Sequence, residues 1–156
     1  MNNLRIGLGY DCHLLKKEGP CVIGGVKINS ELAPQGYSDG DVLLHAICDA
    51  LLGAGGLDDL GTQFKDSDAR WKNKNSSFFL EESLKQLSDL NLTCISIDCV
   101  VICDQPKISP YRTLIREYLS KTLNLDISRI NLKGKTTEIE DKTKIEAHVV
   151  ALITST

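Results

Sequence analysis

The sequence predicts a single α+β domain in which a mixed sheet carries its helices on one face. Three observations predict it. Five stretches are β-branched or alternate in polarity, and three others repeat their apolar residues at helical spacing. The two kinds of segment interleave in the order ββααβαββ. A length of 156 residues suits one domain, 1–156, with no internal repeat or low-complexity segment.

Residues 4–15 read as the first strand, with Gly7 and Gly9 marking a place where something packs close to the backbone. Cys21 to Ile28, split by Gly24-Gly25, reads as a second strand forming a ribbon with the first. Ala33-Pro34-Gln35-Gly36 reads as a turn. Ser38, with Asp41 three residues on, opens a helix in the manner of a capping box, and that helix is expected to stop at Gly53. Residues 53–75 read as a long loop, which in a compact domain is more often functional than idle. Ser76 to Leu90 reads as a helix and Thr93 to Cys103 as a buried strand. Ser109-Pro110 opens a third helix, to about Asn124, and Ile130–Lys135 and Ile145–Ile153 close the sheet.

Charge narrows the function. Lys plus Arg number 18 against 21 Asp plus Glu, a net charge of −3, so no excess of cations exists to meet nucleic-acid or membrane phosphates. No apolar run approaches the roughly 20 residues that span a bilayer. The first residues lack a secretory or transit leader, so a cytoplasmic location is expected. The six cysteines form no C-x-x-C pair and read as reduced thiols that pack as small hydrophobes.

Histidine is sparse, with His13, His45 and His148 only. Asp11 and His13 leave the same face of a strand, and His45 sits on the following helix between Asp41 and Asp49. One carboxylate and two imidazoles make a three-ligand set that zinc accepts with a fourth position open. Asp41 or Asp49 would accept a hydrogen bond from the ring nitrogen of His45 that does not bind metal. Spacing alone leaves open that the two histidines are unrelated surface residues. Asp58, Asp59, Asp66 and Asp68 crowd one loop, either as ligands for hydroxyls or a hard cation, or as a solvated acidic surface. Pro106-Lys107 follows a strand end, and Lys133 to Glu138 combines cations, hydroxyls and a carboxylate suited to phosphates and a bridging Mg²⁺.

These segments together resemble the 2-C-methyl-D-erythritol 2,4-cyclodiphosphate synthase family of the non-mevalonate isoprenoid pathway. The resemblance rests on Arg5 to His13, Ile23-Gly24-Gly25-Val26, Ser38 to Gly53, Leu57 to Gly61, Phe64 to Asp68, Pro106-Lys107 and Lys135 to Glu138. It implies a chain of ferredoxin-like or chorismate-mutase-like type, assembled as a homotrimer with active sites between neighbouring subunits. It implies a lyase that converts 4-diphosphocytidyl-2-C-methyl-D-erythritol 2-phosphate to the 2,4-cyclodiphosphate with release of CMP. By the same resemblance Asp11, His13 and His45 hold Zn²⁺, and Glu138 helps hold Mg²⁺ or Mn²⁺ on the diphosphate. The resemblance further implies that Thr136 stabilises transition-state charge, and it places the remaining site residues as follows. Ser38, Asp59, Gly61, Phe64, Asp66 and Asp68 lie at the methylerythritol phosphate. Cys103, Pro106, Lys107 and Ile108 surround the cytidine, with Lys135 and Thr137 close to the phosphates.

Two departures stand out. Tyr37 occupies the place of a family histidine that acts near the 2-phosphate, and supplies an O–H donor without a cation. A regulatory trimer that binds metal and nucleotide with weak turnover is the alternative this suggests. The stretch after Glu138 is short and lacks the Phe and Arg that serve isoprenoid diphosphates in the central cavity of family trimers. Lys142 and Lys144 are the candidate replacement cations there, and Glu146 is expected to face the trimer axis.

Overall fold

The computed structural model describes residues 3–36, 38–65, 67–72 and 74–156. Tyr37 and Asp66 lie outside the described residues. Seven strands and four α-helices follow the chain as β1 (Leu4–Lys17), β2 (Cys21–Ile23), β3 (Val26–Ile28), β4 (Leu32–Pro34), α1 (Val42–Gly55), α2 (Leu60–Gln63), α3 (Ser76–Asp89), β5 (Leu92–Ile102), α4 (Arg112–Leu123), β6 (Ile130–Lys135) and β7 (Lys144–Ser155). Single 3₁₀ turns stand at Ala69–Trp71, Ser109–Tyr111 and Ile127–Arg129.

The main sheet runs β4-β1-β7-β5-β6, antiparallel except for the β5–β6 pair. That mixed sheet with helices on one face is the α+β layering expected. Alternation sets the faces. Ile145, Ala147, Val149, Ala151 and Ile153 of β7 are wholly buried beneath the helices, with Ile97, Cys99 and Val101 of β5 beside them. The opposite face of β1 leaves Leu4, Ile6, Leu8, Tyr10 and Leu14 each 49–71% exposed.

Four local readings are corrected. Residues 21–28 do not pair with β1; β2 and β3 form their own hairpin across Gly24-Gly25. Ala33-Pro34 is not a turn but the end of β4, where Pro34 pairs with Leu15 on the sheet edge, the one position that tolerates a missing N–H. The α1 cap is Asp41 rather than Ser38, and the helix continues through Gly53 to Gly55, ending at Gly56 with φ +75°. The 53–75 stretch is not all loop, since it folds into α2 and a 3₁₀ turn.

Asp41 shows why α1 starts where it does. Its carboxylate is fully buried and accepts N–H groups from Gly24 at 2.8 Å, Gly25 at 2.7 Å and Leu44 at 3.0 Å. Burial, aided by the Asp39 charge, raises its pKa, and the three N–H donors limit the rise to about 6. Small residues then let α1 lie directly on β1. A Cβ at Gly7 would overlap the Ala50 carbonyl oxygen, and one at Gly9 the Ala46 carbonyl oxygen. This close approach carries the N-terminal turns of α1, and His45 with them, over Asp11 and His13.

All six cysteines are free, five of them buried. Burial pushes the Cys48 and Cys103 thiols up to about 12 and Cys21 up to about 11, which keeps them protonated and inert.

Candidate active site

Asp11 and His13 project from β1 toward α1, and His45 projects back from the first turns of α1. Asp11 Oδ2 lies 2.9 Å from His13 Nε2 and 3.0 Å from His45 Nδ1, and the two ring nitrogens are 3.2 Å apart. Among the described residues this is the one group of three or more such side chains close enough to share an ion, and the acidic 58–68 loop forms none.

The other nitrogen of His45 decides what the site accepts. His45 Nε2 is 2.9 Å from the hydroxyl of the fully buried Ser76 and 3.2 Å from that of Ser38. The Ser76 hydroxyl donates to Asp39 Oδ1, and the Ser76 N–H donates to Asp39 Oδ2 at 3.1 Å. Ser76 therefore accepts the proton at Nε2, and a neutral His45 turns the lone pair of Nδ1 toward Asp11. The lone pairs of His45 Nδ1 and Asp11 Oδ2 then face each other beside His13 Nε2, and a proton or a metal cation between them relieves the repulsion. Ligands 2.0–2.1 Å from a tetrahedral zinc stand about 3.3 Å from one another, close to the spacings seen here. The donor set fits such an ion.

The protonation states follow the same logic. Burial opposes ionisation of Asp11, yet hydrogen bonds from both histidines outweigh it and hold the carboxyl well below the usual carboxylate range. Burial also opposes a charged His45, and its bond to Asp11 outweighs that and raises its pKa. An incoming cation thus meets a ready carboxylate, and His45 would ligate it in the neutral form.

Asp41 and Asp49 do not orient His45, contrary to the expectation from their spacing. Asp41 is occupied as the helix cap, and Asp49 accepts the Leu60 N–H at 2.8 Å. The role falls to Ser76 and Asp39, which lie 31 and 6 residues from His45 and come together only in the fold. Replacing Ser76 with Ala should weaken metal binding about 10–100-fold, the usual range when the partner of a metal-ligating histidine is lost. Titration against a chromogenic chelator measures it.

A cavity of about 110 Å³ opens beside the histidines, lined by Ser38, Leu60, Gly61, Phe64, Trp71 and Phe79. Gly61 and Phe64 were candidates from sequence, whereas Trp71 and Phe79 were not. Asp59 and Asp68 are the N-caps of α2 and of the 3₁₀ turn at Ala69, and neither lines the cavity. Asp68 is also paired with Arg70 at 2.6 Å. The lone Trp of a polar loop was the available signal for this wall.

A second, smaller pocket of about 90 Å³ lies where β5 and β6 end, lined by Cys103, Lys107, Ile108, Ser109, Lys135 and Thr136, with Gly134 at its floor. Pro106 borders a neighbouring cleft of about 720 Å³ on the other side of Lys107. Thr137 is turned to Asp104, and Glu138 is exposed. Asp11, Ala147, Val101 and Gly134 lie in one row across β1, β7, β5 and β6. Three strand spacings, about 14 Å, therefore separate Asp11 from Gly134 along the sheet. Among the described residues, none lines both pockets.

The profile of the YgbB family matches residues 4–154. The chain belongs to the YgbB family. Relatives of this family include the 2-C-methyl-D-erythritol 2,4-cyclodiphosphate synthase of Aquifex aeolicus, 48% identical over 135 residues that make up 86% of each chain. The corresponding synthase of Francisella tularensis subsp. novicida is 43% identical over 156 residues, covering 97% of this chain and 98% of its own. Among solved structures, a 2-C-methyl-D-erythritol 2,4-cyclodiphosphate synthase in its CDP-bound form superposes with a TM-score of 0.91 at 36% identity, over 96% of this chain and 99% of the other.

On the outer face of the sheet, one polar cluster joins β1 and β7, and another joins Asp98 of β5 to Lys133 of β6 at 2.7 Å. Lys144 pairs with Glu146 at 2.6 Å, the Tyr10 hydroxyl donates to Glu146 at 3.4 Å, and the Tyr10 and His148 rings stand 4.9 Å apart. The charge of Lys144 is thus already offset by Glu146. No helix among the described residues is long and apolar enough to cross a membrane.

Proposed function

We propose that this protein is a 2-C-methyl-D-erythritol 2,4-cyclodiphosphate synthase of isoprenoid biosynthesis. The observation that carries the reading is the Asp11–His13–His45 cluster, oriented by Ser76 and set beside a small cavity, in a chain of this family. The substrate is 4-diphosphocytidyl-2-C-methyl-D-erythritol 2-phosphate. An oxygen of its 2-phosphate forms a bond to the β-phosphorus. The bond from that phosphorus to the bridging oxygen breaks, and CMP leaves with the electron pair. The nucleophile is already anionic, so no residue need act as a base; positioning and charge neutralisation do the work.

Asp11, His13 and His45 would hold Zn²⁺, and the Glu138 carboxylate would share Mg²⁺ or Mn²⁺ with the diphosphate oxygens. When bound, these ions supply Lewis acidity and neutralise phosphate charge. Ser38, Gly61 and Phe64 shape the space for the methylerythritol part. Cys103, Lys107 and Ile108 enclose the cytosine, and Lys135 and Thr136 donate to the phosphates. Tyr37 supplies an O–H donor near the 2-phosphate in this reading.

We assign the working unit as a homotrimer in which the metal half-site of one copy faces the nucleotide pocket of the next. The exposed apolar row of Leu4, Ile6, Leu8 and Tyr10 supports self-association, since a contiguous face of this kind is rarely left to water. The Lys144–Glu146 pair argues against an isoprenoid diphosphate held there by Lys144. Release of CMP from the cytidylyl substrate, dependent on added metal, tests the assignment. No release by folded, zinc-loaded protein would leave the regulatory binding homologue as the better reading.

A further inference from the structure

We infer that Asp104 is a positioning residue for the nucleotide pocket: it ties the turn bearing Thr136 and Glu138 to the loop bearing Lys107 and fixes the spacing of the two walls. This rests on the nucleotide assignment made above.

Asp104 is 9% exposed and stands two residues beyond β5. Both its oxygens are committed to one residue of the turn that follows β6. Oδ1 accepts the Thr137 N–H at 3.3 Å, and Oδ2 accepts the Thr137 hydroxyl hydrogen. The same hydroxyl oxygen accepts the Asp141 N–H at 3.2 Å. A single side chain therefore closes the 137–141 turn on itself and fastens it to the 103–108 loop.

The turn needs such a fastener. The parallel ladder of β5 and β6 is extended by the Cys103 N–H to Lys135 carbonyl bond at 3.0 Å, and among the described residues no backbone bond joins the loop and the turn beyond it. Glu138 and Glu140 have φ of +61° and +55°, a left-handed conformation that side-chain-bearing residues keep only when their surroundings hold them. No described cation pairs with Asp104, so N–H and O–H donors meet its charge. Burying a carboxylate is costly, and plain packing would be served better by an apolar side chain. An ionised carboxylate, which only accepts, selects the arrangement in which Thr137 donates twice.

Calorimetric titration with CDP, alongside zinc content of the same samples, tests the inference. Asp104→Ala should weaken CDP binding by about tenfold or more, as expected when charge-assisted hydrogen bonds are lost, and leave zinc stoichiometry unchanged. Thr137→Val, which keeps shape and loses the hydroxyl, should weaken it likewise. Thr137→Ser should restore wild-type affinity, and the Asp104→Ala/Thr137→Val double variant should be no worse than the weaker single. Unchanged CDP affinity in Asp104→Ala, or equal affinities for Thr137→Val and Thr137→Ser, would overturn the inference alone. Parallel loss of zinc would reduce Asp104 to a general structural role and also overturn it. A wild-type protein that binds no CDP would overturn it together with the nucleotide assignment.

Discussion

Purified His45→Ala and Asp11→Asn variants should be folded, free of zinc and without measurable turnover. Apparent binding free energies of protein zinc sites run to about 10–16 kcal/mol shared among a few ligands, so losing one weakens binding by at least about a hundredfold. His45 sits in α1 beside Ala46, whose carbonyl packs on Gly9, and truncating its ring leaves that packing untouched. Asp11→Asn keeps the shape of the carboxylate but removes its charge from between two imidazoles. Zinc content and CMP release, measured on the same preparations with circular dichroism as the control for folding, check both. Stoichiometric zinc in both variants would refute the ligand assignment.

The second large effect concerns the division of the site between copies. His45→Ala destroys only the metal half, and Glu138→Ala only the nucleotide half. Each variant alone should be inactive. Co-expressed in equal amounts and assembled at random, they form a trimer site from an intact metal half and an intact neighbouring nucleotide half about one time in four, so activity should return to about a quarter of wild type. A site built within one chain predicts no recovery, because every chain then carries one broken half. The apolar face of β1 and the lack of any residue common to the two pockets favour recovery.

Legibility in the sequence followed locality. Asp11 and His13 were legible because strand periodicity alone puts them on one face, and α3, β5 and β7 because their apolar patterns are long. β4 was not, because three residues containing Pro34 look like a turn until Leu15 pairs with them. The extension of α1 past Gly53 was hidden for a similar reason. A glycine mid-helix reads as a stop, yet here a Cβ at Gly53 would meet only the Leu8 carbonyl, at 4.0 Å, so nothing local forces the helix to end. The orientation of His45 was the instructive case. Asp41 and Asp49 have the right helical spacing, but burial had already committed them to backbone N–H groups. The partners that serve, Ser76 and Asp39, meet only because α3 begins against the 38–41 segment. Asp104 was equally silent, since its meaning depends on a threonine 33 residues away.

The most direct measurement is phosphorus NMR of the wild-type protein incubated with the cytidylyl substrate, Zn²⁺ and Mg²⁺. Resonances of CMP and of a cyclic diphosphate, appearing together and in equal amounts, are the result predicted here. Free phosphate without a cyclic product would mark a metal-dependent hydrolase, and unchanged substrate with zinc bound would mark a protein that binds without turnover; either would contradict the account.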